Sequence, residues 1–320
     1  MDINSNFLAY SLPNRMEWRM GKLEKSGINQ GERIRVRPFV GQVRSYSFVE
    51  FESTFEDISL AFDLIDSADN IDQEQYQHLI QKAIDACDGT MTKIVCSRTK
   101  QLSAETNNWK TWLKDLKKAF PGTFIYLLNT DEFGIWMGAT PEILVKQDQE
   151  QFETVSLAGT RWDNEAFSEK EKIEQKVVTE SILSSLELSE DAVSSHGEIN
   201  FGGIRHLRSI INWESKFSVA QIAEKLHPTP AVCGFPTDLA KAFISEHEGY
   251  DRKLYTGYVL IETKKHSNCA FVNLRCMQLF RKHIRLYAGG GINAMSDPKT
   301  EWIETEEKMQ TMTDAIHLNA

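Results

Sequence analysis

The chain has 320 residues, 41% of them apolar, and a net charge of −10. That is enough to bury a substantial core, and the carboxylate surplus excludes a nucleic-acid groove, which needs clustered Lys and Arg. No stretch approaches the ~18 apolar residues of a spanning helix, and no basic leader precedes an apolar run at the N-terminus, so an untargeted cytoplasmic protein without membrane contact is expected.

Taken in order, residues 33–40 and 45–51 read as strands, and the patterns around Asp57–Ile65 and Asp72–Cys87 as helices. From Thr92 the β-branched and aromatic runs KIVCSR, TFIYLLN, FGIWMGA, EILVKQ and FETVSLAG predict strands joined by short turns. Amphipathic helices follow at about 168–188, 219–226 and 237–247, then strands in TGYVLIETKK, CAFVNLRCMQLF and HIRLYAGGG, and a last helix over about 298–317. Long antiparallel-looking runs with helices grouped in blocks argue for an α+β fold of mostly antiparallel sheet flanked by helices, and against regular βαβ alternation. Cys87, Cys96, Cys233, Cys269 and Cys276 are odd in number and lack a CxxC pair, so they read as reduced thiols.

Several segments carry possible chemistry. The last helix sets Glu301, Glu304 and Lys308 on one face, which a salt-bridged solvent face would also explain. The helix SEKEKIEQKVVTE offers Glu169, Glu171, Glu174 and Glu180, with the same plain alternative. In RLYAGGGINAM a strand runs into Gly289, Gly290 and Gly291, which predicts either an anion-binding nest of successive N–H groups or a tight turn. Neither a P-loop nor a dinucleotide fingerprint is present. SLAGTR places Gly159, Thr160 and Arg161 after a strand, and HPTPAVCGFP packs three prolines with His227 and Gly234 into a loop of fixed shape. His227 reads as a packing or capping histidine more readily than as a catalyst.

The ordered set KIVCSR, TPEILV, SLAGTR, SEKEKIEQ, HPTPAVCGFP, YDRKLYTGYV, NLRC, RLYAGGGI and EWIETEEK resembles the chorismate-utilising enzymes. The resemblance runs from about residue 90 to the C-terminus and implies one chorismate-binding domain over residues 1–320. Within it, about 1–90 forms a shortened, weakly matching part and 91–320 the catalytic part.

By resemblance, Glu174 and Glu304, with Glu301 as a further or water-mediated ligand, would bind Mg²⁺, whose preference for oxygen donors suits an acid cluster that must admit a dianion. Gly159, Thr160, His227, Arg275, Gly289 to Gly291 and Lys308 would hold the substrate, Arg275 by fork-like pairing with a carboxylate. Lys93 would be the base that activates water, since relatives that use ammonia typically carry Gln there, and Glu142 the acid that protonates the departing 4-hydroxyl. Ala158 stands where one group of relatives has a nucleophilic Lys, which argues against covalent attack on the ring. HPTPAV looks like the isochorismate and salicylate synthase branch, whereas Thr256 departs from the Gly that many members carry.

The expected activity is therefore isochorismate synthesis by a monomer. The alternatives are salicylate synthesis with pyruvate elimination, anthranilate synthesis, and a catalytically silent paralogue that binds chorismate.

Overall fold

The computed structural model describes residues 6–25, 31–52, 54–62, 71–87, 89–161, 166–201, 203–263 and 267–317. The chain begins with β1 (Phe7–Ser11), β2 (Arg19–Lys25), β3 (Glu32–Arg37) and β4 (Arg44–Glu50). It continues through α1 (Gln73–Ala86), β5 (Lys93–Ser103), α2 (Trp109–Ala119), β6 (Phe124–Thr130), β7 (Gly134–Thr140), β8 (Ile143–Asp148) and β9 (Gln151–Arg161). Next come α3 (Glu169–Leu186), β10 (Val193–Phe201), β11 (Ile204–Glu214), α4 (Val219–Leu226), β12 (Gly234–Phe235) and α5 (Thr237–His247). The last elements are β13 (Tyr258–Glu262), β14 (Asn268–Val272), β15 (Cys276–Leu279), β16 (His283–Ile292) and α6 (Pro298–Ala315).

Among the described residues these sixteen strands form one sheet, in the order β10-β11-β9-β8-β14-β13-β3-β4-β2-β1-β6-β7-β15-β16-β5-β12. Every pairing is antiparallel, which makes the fold α+β. A twisted sheet this long folds over on itself. Phe124 of β6 and Phe271 of β14, far apart in the strand order, stack with ring centroids 4.3 Å apart. Between the halves lie Leu8, Ile34, Trp136 and Val259.

Because strand side chains alternate, the same strands send Phe7, Ile125 and Met137 to the opposite face, where Trp112 and Leu113 of α2 and Met309 and Met312 of α6 cover them. Val178 and Ile182 of α3 and Ile222 and Leu226 of α4 cover Val145, Ile211 and Leu260. Tyr76 and Ile80 of α1 and Phe243 of α5 flank Ile94 and Ile292, which fixes β5 beside β16. Helix starts are set locally: Asp72, Ser168 and Ser218 form capping boxes with Gln75, Glu171 and Gln221, and Asp297 accepts from Thr300 N ahead of Pro298. Among the described residues no helix is long and apolar enough to cross a membrane.

The structure corrects several expected elements. The helix around Asp57–Ile65 is a single 3-10 turn, Phe55–Asp57, followed by irregular chain to residue 62, and 63–65 lie outside the described residues. CAFVNLRCMQLF is two strands, because the chain breaks between β14 and β15 where Arg275 takes a left-handed conformation with φ 48. Asn273 clamps that break: Tyr126 Oη donates to its Oδ1 over 2.5 Å and its Nδ2 donates to Leu254 O over 2.9 Å. Strands β1, β2, β10, β11 and β12 and helix α2 are additional to the sequence reading.

Candidate active site

Lys93 opens β5, and the alternation of that strand puts Lys93 and Val95 on one face while Ile94 and Cys96 enter the core. Val95 lines a cleft that encloses about 740 Å³ of space, its open mouth included. Its walls come from the ends of several strands: Pro141 and Glu142 before β8, Leu157, Ala158 and Thr160 of β9, His206 of β11, and Tyr287 with Gly289 to Gly291 of β16. Ala231 and Val232 of the proline-rich loop, Tyr255 and Thr256, Leu274 and Arg275 of the break before β15, Glu174 of α3 and Lys308 of α6 complete it. A cleft of this size, largely apolar with a few convergent charged groups, suits a small molecule.

Lys93 is almost wholly buried, and its Nζ lies 2.7 Å from Glu174 Oε1 at an angle that makes no hydrogen bond. Glu142 is buried too, and burial pushes its carboxyl up to about 7 against the opposing pull of Lys93 and Lys308. Near neutral pH it is therefore a carboxyl that can give up or take a proton. Arg275 is buried over the Phe201 ring and donates to Lys308 O over 3.3 Å. Burial lowers its pKa to about 10, against Tyr255 and Glu304, so it remains a cation aimed into the cleft.

Gly289 to Gly291 form neither a nest nor a turn. They continue β16 opposite Ser97, Cys96 and Val95, and none has a positive φ. What requires glycine is space: a Cβ on Gly290 would stand 2.8 Å from Glu301 Oε2, and one on Gly291 would stand 2.2 Å from Glu174 Oε1 and 2.6 Å from Lys93 Cε. Gly159 is likewise a packing glycine, at φ +71 against Glu171 of α3, while its neighbour Thr160 reaches the cleft.

His227 does not come to the cleft. It caps α4, packs edge-on against Tyr258, and burial lowers its pKa to about 3, so it is a neutral packing group. The loop that follows it does serve the site: Gly234 and Phe235 pair with Ile94 and Lys93, and a Cβ on Gly234, which has φ +132, would lie 2.3 Å from Lys93 O.

The histidine at the cleft is His206, within 3.3 Å of Thr160 Oγ1. Burial, then Arg275 and Lys308, drive its pKa well down, leaving a neutral ring. Nothing in IRHLRS distinguishes it, since one histidine in an alternating strand is unremarkable.

The three candidate metal ligands are each held by a lysine. Glu174 faces Lys93, Lys308 Nζ donates to Glu304 Oε1 over 2.6 Å, and Lys170 Nζ donates to Glu301 Oε1 over 2.5 Å. Burial raises Glu304, but Lys308 and Lys170 outweigh it and its pKa is lowered. Among the described residues no three acid, thiol or imidazole side chains stand as an assembled metal cage. The donor chemistry nonetheless fits a hard divalent cation: the donors are carboxylate oxygens, and Glu301 Oε2 is buried with no close hydrogen bond and, besides Lys170, only the Ser296 hydroxyl near the carboxylate among the described residues. Of the other acids on α3, Glu171 caps its own helix through Ser168, and Glu169 and Glu180 pair with Lys172 and Lys176 on the surface.

Comparison with known proteins matches residues 44–317 to the chorismate binding enzyme family. The isochorismate synthase EntC of Escherichia coli K12 is 32% identical over 216 residues, 62% of this chain and 55% of EntC, so the chain spans little more than half the length of that relative. The isochorismate synthase DhbC of Bacillus subtilis is 30% identical over 273 residues, covering 76% of this chain and 68% of DhbC. Among solved structures, a putative 2,3-dihydroxybenzoate-specific isochorismate synthase, DhbC from Bacillus anthracis, shares the fold at a TM-score of 0.80 and 24% identity, over 98% of this chain and 97% of that one.

Proposed function

The chain belongs to the chorismate-binding enzyme family, and we propose that within it this protein is an isochorismate synthase. The observation that carries the reading is the approach of two buried groups of opposite task, Glu142 in the cleft wall and Lys93 just behind Gly291 of that wall, where the charge of Lys93 acts on Glu142. In the reaction, Lys93 takes a proton from water as its oxygen attacks C2 of the ring. The double bond shifts, the C4–O bond breaks, and Glu142 gives its proton to the leaving hydroxyl so that water departs. One water is consumed and one released, so substrate and product are isomers.

Chorismate carries two carboxylates. Arg275 and Lys308 supply fixed positive charge for them, and Tyr255, Leu274 and Val95 supply apolar walls for the ring. We assign Mg²⁺ to Glu174, Glu301 and Glu304, where, when bound, it would neutralise substrate charge that these acids alone would repel. Ala158 offers no amine for covalent attack. Five buried free cysteines accord with a reducing, cytoplasmic setting, and a monomer is the simplest assembly.

Lys93→Ala and Glu142→Ala should each lower turnover of chorismate by about 100-fold or more, measured by chromatography of the product made by protein that circular dichroism shows to be folded. Full activity in Lys93→Ala would remove the basis of the reading.

A further inference from the structure

We propose that Lys170 is the resident cation of the carboxylate cluster in the metal-free protein, and that a divalent ion enters by displacing its ammonium from Glu301. The proposal rests on the metal assignment above and names the residue that competes with the metal.

Three acids meet three lysines here: Glu174 with Lys93, Glu301 with Lys170, and Glu304 with Lys308. With all six ionised the set is neutral, so a divalent ion adds positive charge to groups that already have partners. Glu301 is the acid best prepared to change partners. Its Oε1 accepts from Lys170, while its Oε2 is buried beside the space that Gly290 leaves open, with no close hydrogen bond and, besides Lys170, only the Ser296 hydroxyl near the carboxylate among the described residues. A buried carboxylate oxygen so weakly compensated is costly unless a cation or stronger donor arrives.

Lys170 is also the lysine best able to leave. Lys93 is enclosed in β5, and Lys308 is tied both to Glu304 and to Gly289 O. Lys170 rises from the first turn of α3 with its side chain partly open to solvent, four residues from Glu174 on the same helix face. Its ammonium contacts Glu301 Oε1 over 2.5 Å, so it already holds a carboxylate that the metal needs. A hard cation bonds carboxylate oxygens directly and repels an ammonium on the same carboxylate, so the two cannot share Glu301 at full strength.

The test uses the intact protein and MgCl₂ alone. Lysine acylation followed by mass spectrometry, with and without saturating Mg²⁺, should show Lys170 reacting several-fold faster with the metal present while exposed Lys225 is unchanged. By calorimetry, Lys170→Gln should bind Mg²⁺ about tenfold more tightly than wild type, and Lys170→Arg, which keeps the competing charge, no more tightly. An unchanged Lys170 acylation rate, or a Lys170→Gln affinity no better than wild type, overturns the exchange and makes Lys170 a fixed positioning residue. If wild type shows no Mg²⁺ binding at all, the metal assignment falls and the exchange with it, an outcome distinct from binding without exchange.

Discussion

Glu142 gives the sharpest residue-scale consequence, because one buried carboxyl links catalysis and stability to pH. Burial raises it from 4.5 to about 7, so the folded protein binds its proton more tightly than the unfolded chain does. The stability associated with that group is fully present below about 4.5 and is lost as pH rises through about 7. Glu142→Gln, which stays neutral, should therefore be more stable than wild type by up to about 3 kcal/mol near pH ~8 and by nothing near pH ~4, read from denaturant melts at both values. Because the proposed acid must hold its proton, wild-type kcat/KM should also decline above a pH of about 7. A stability difference independent of pH would mean that Glu142 is not the strained carboxyl.

Gly291 makes a second point at this scale. An added Cβ would press on Glu174 Oε1 and Lys93 Cε, both ends of flexible side chains, so Gly291→Ala should fold with a nearly unchanged Tm while the Lys93–Glu174 pair shifts and turnover falls by about tenfold or more. Equal activity would show that the position of Lys93 is not critical.

At the scale of elements, the site depends on how α5, β5 and the proline-rich loop are tied together. Arg252 is fully buried and donates to both oxygens of Glu248, to Val232 O and to Val95 O, while Glu248 accepts from Ser97 N and Oγ. One guanidinium thus holds the end of α5, the loop wall of the cleft and the Lys93 strand. Arg252→Met leaves the buried Glu248 without a cation, with only Ser97 among the described residues still donating to it, and should destabilise the protein by about 3–5 kcal/mol by chemical denaturation, whereas a change under 1 kcal/mol would show that packing alone holds the loop.

The elements also show what the sequence could disclose. The strands KIVCSR and HIRLYAGGG and the helices at 219–226 and 237–247 were legible because side-chain periodicity is local. The meaning of Gly290 and Gly291 was not, since the neighbours that demand them, Glu301, Glu174 and Lys93, come from α6, α3 and β5. Lys170 lay inside a helix whose charges resemble a solvated face, and only the approach of α6 turns it inward. The break at Arg275 is invisible in an apolar run because left-handed φ at a non-glycine residue is set by surroundings, here the Asn273 clamp.

For the whole molecule, the folded-over sheet brings strand ends from both halves of the chain to one cleft, and two helices close that cleft with acids and lysines. In the proposed reaction, Glu142 in the cleft wall and Lys93 behind it act on a small dianion from buried positions, where electrostatic action is stronger than in water. Whether that makes an isochorismate synthase is decided most directly by turnover of chorismate with Mg²⁺ in water enriched in heavy oxygen. Mass spectrometry of the chromatographed product should show isochorismate carrying one heavy oxygen, with no pyruvate released. Unlabelled product, no turnover, or salicylate appearing with pyruvate would contradict the account.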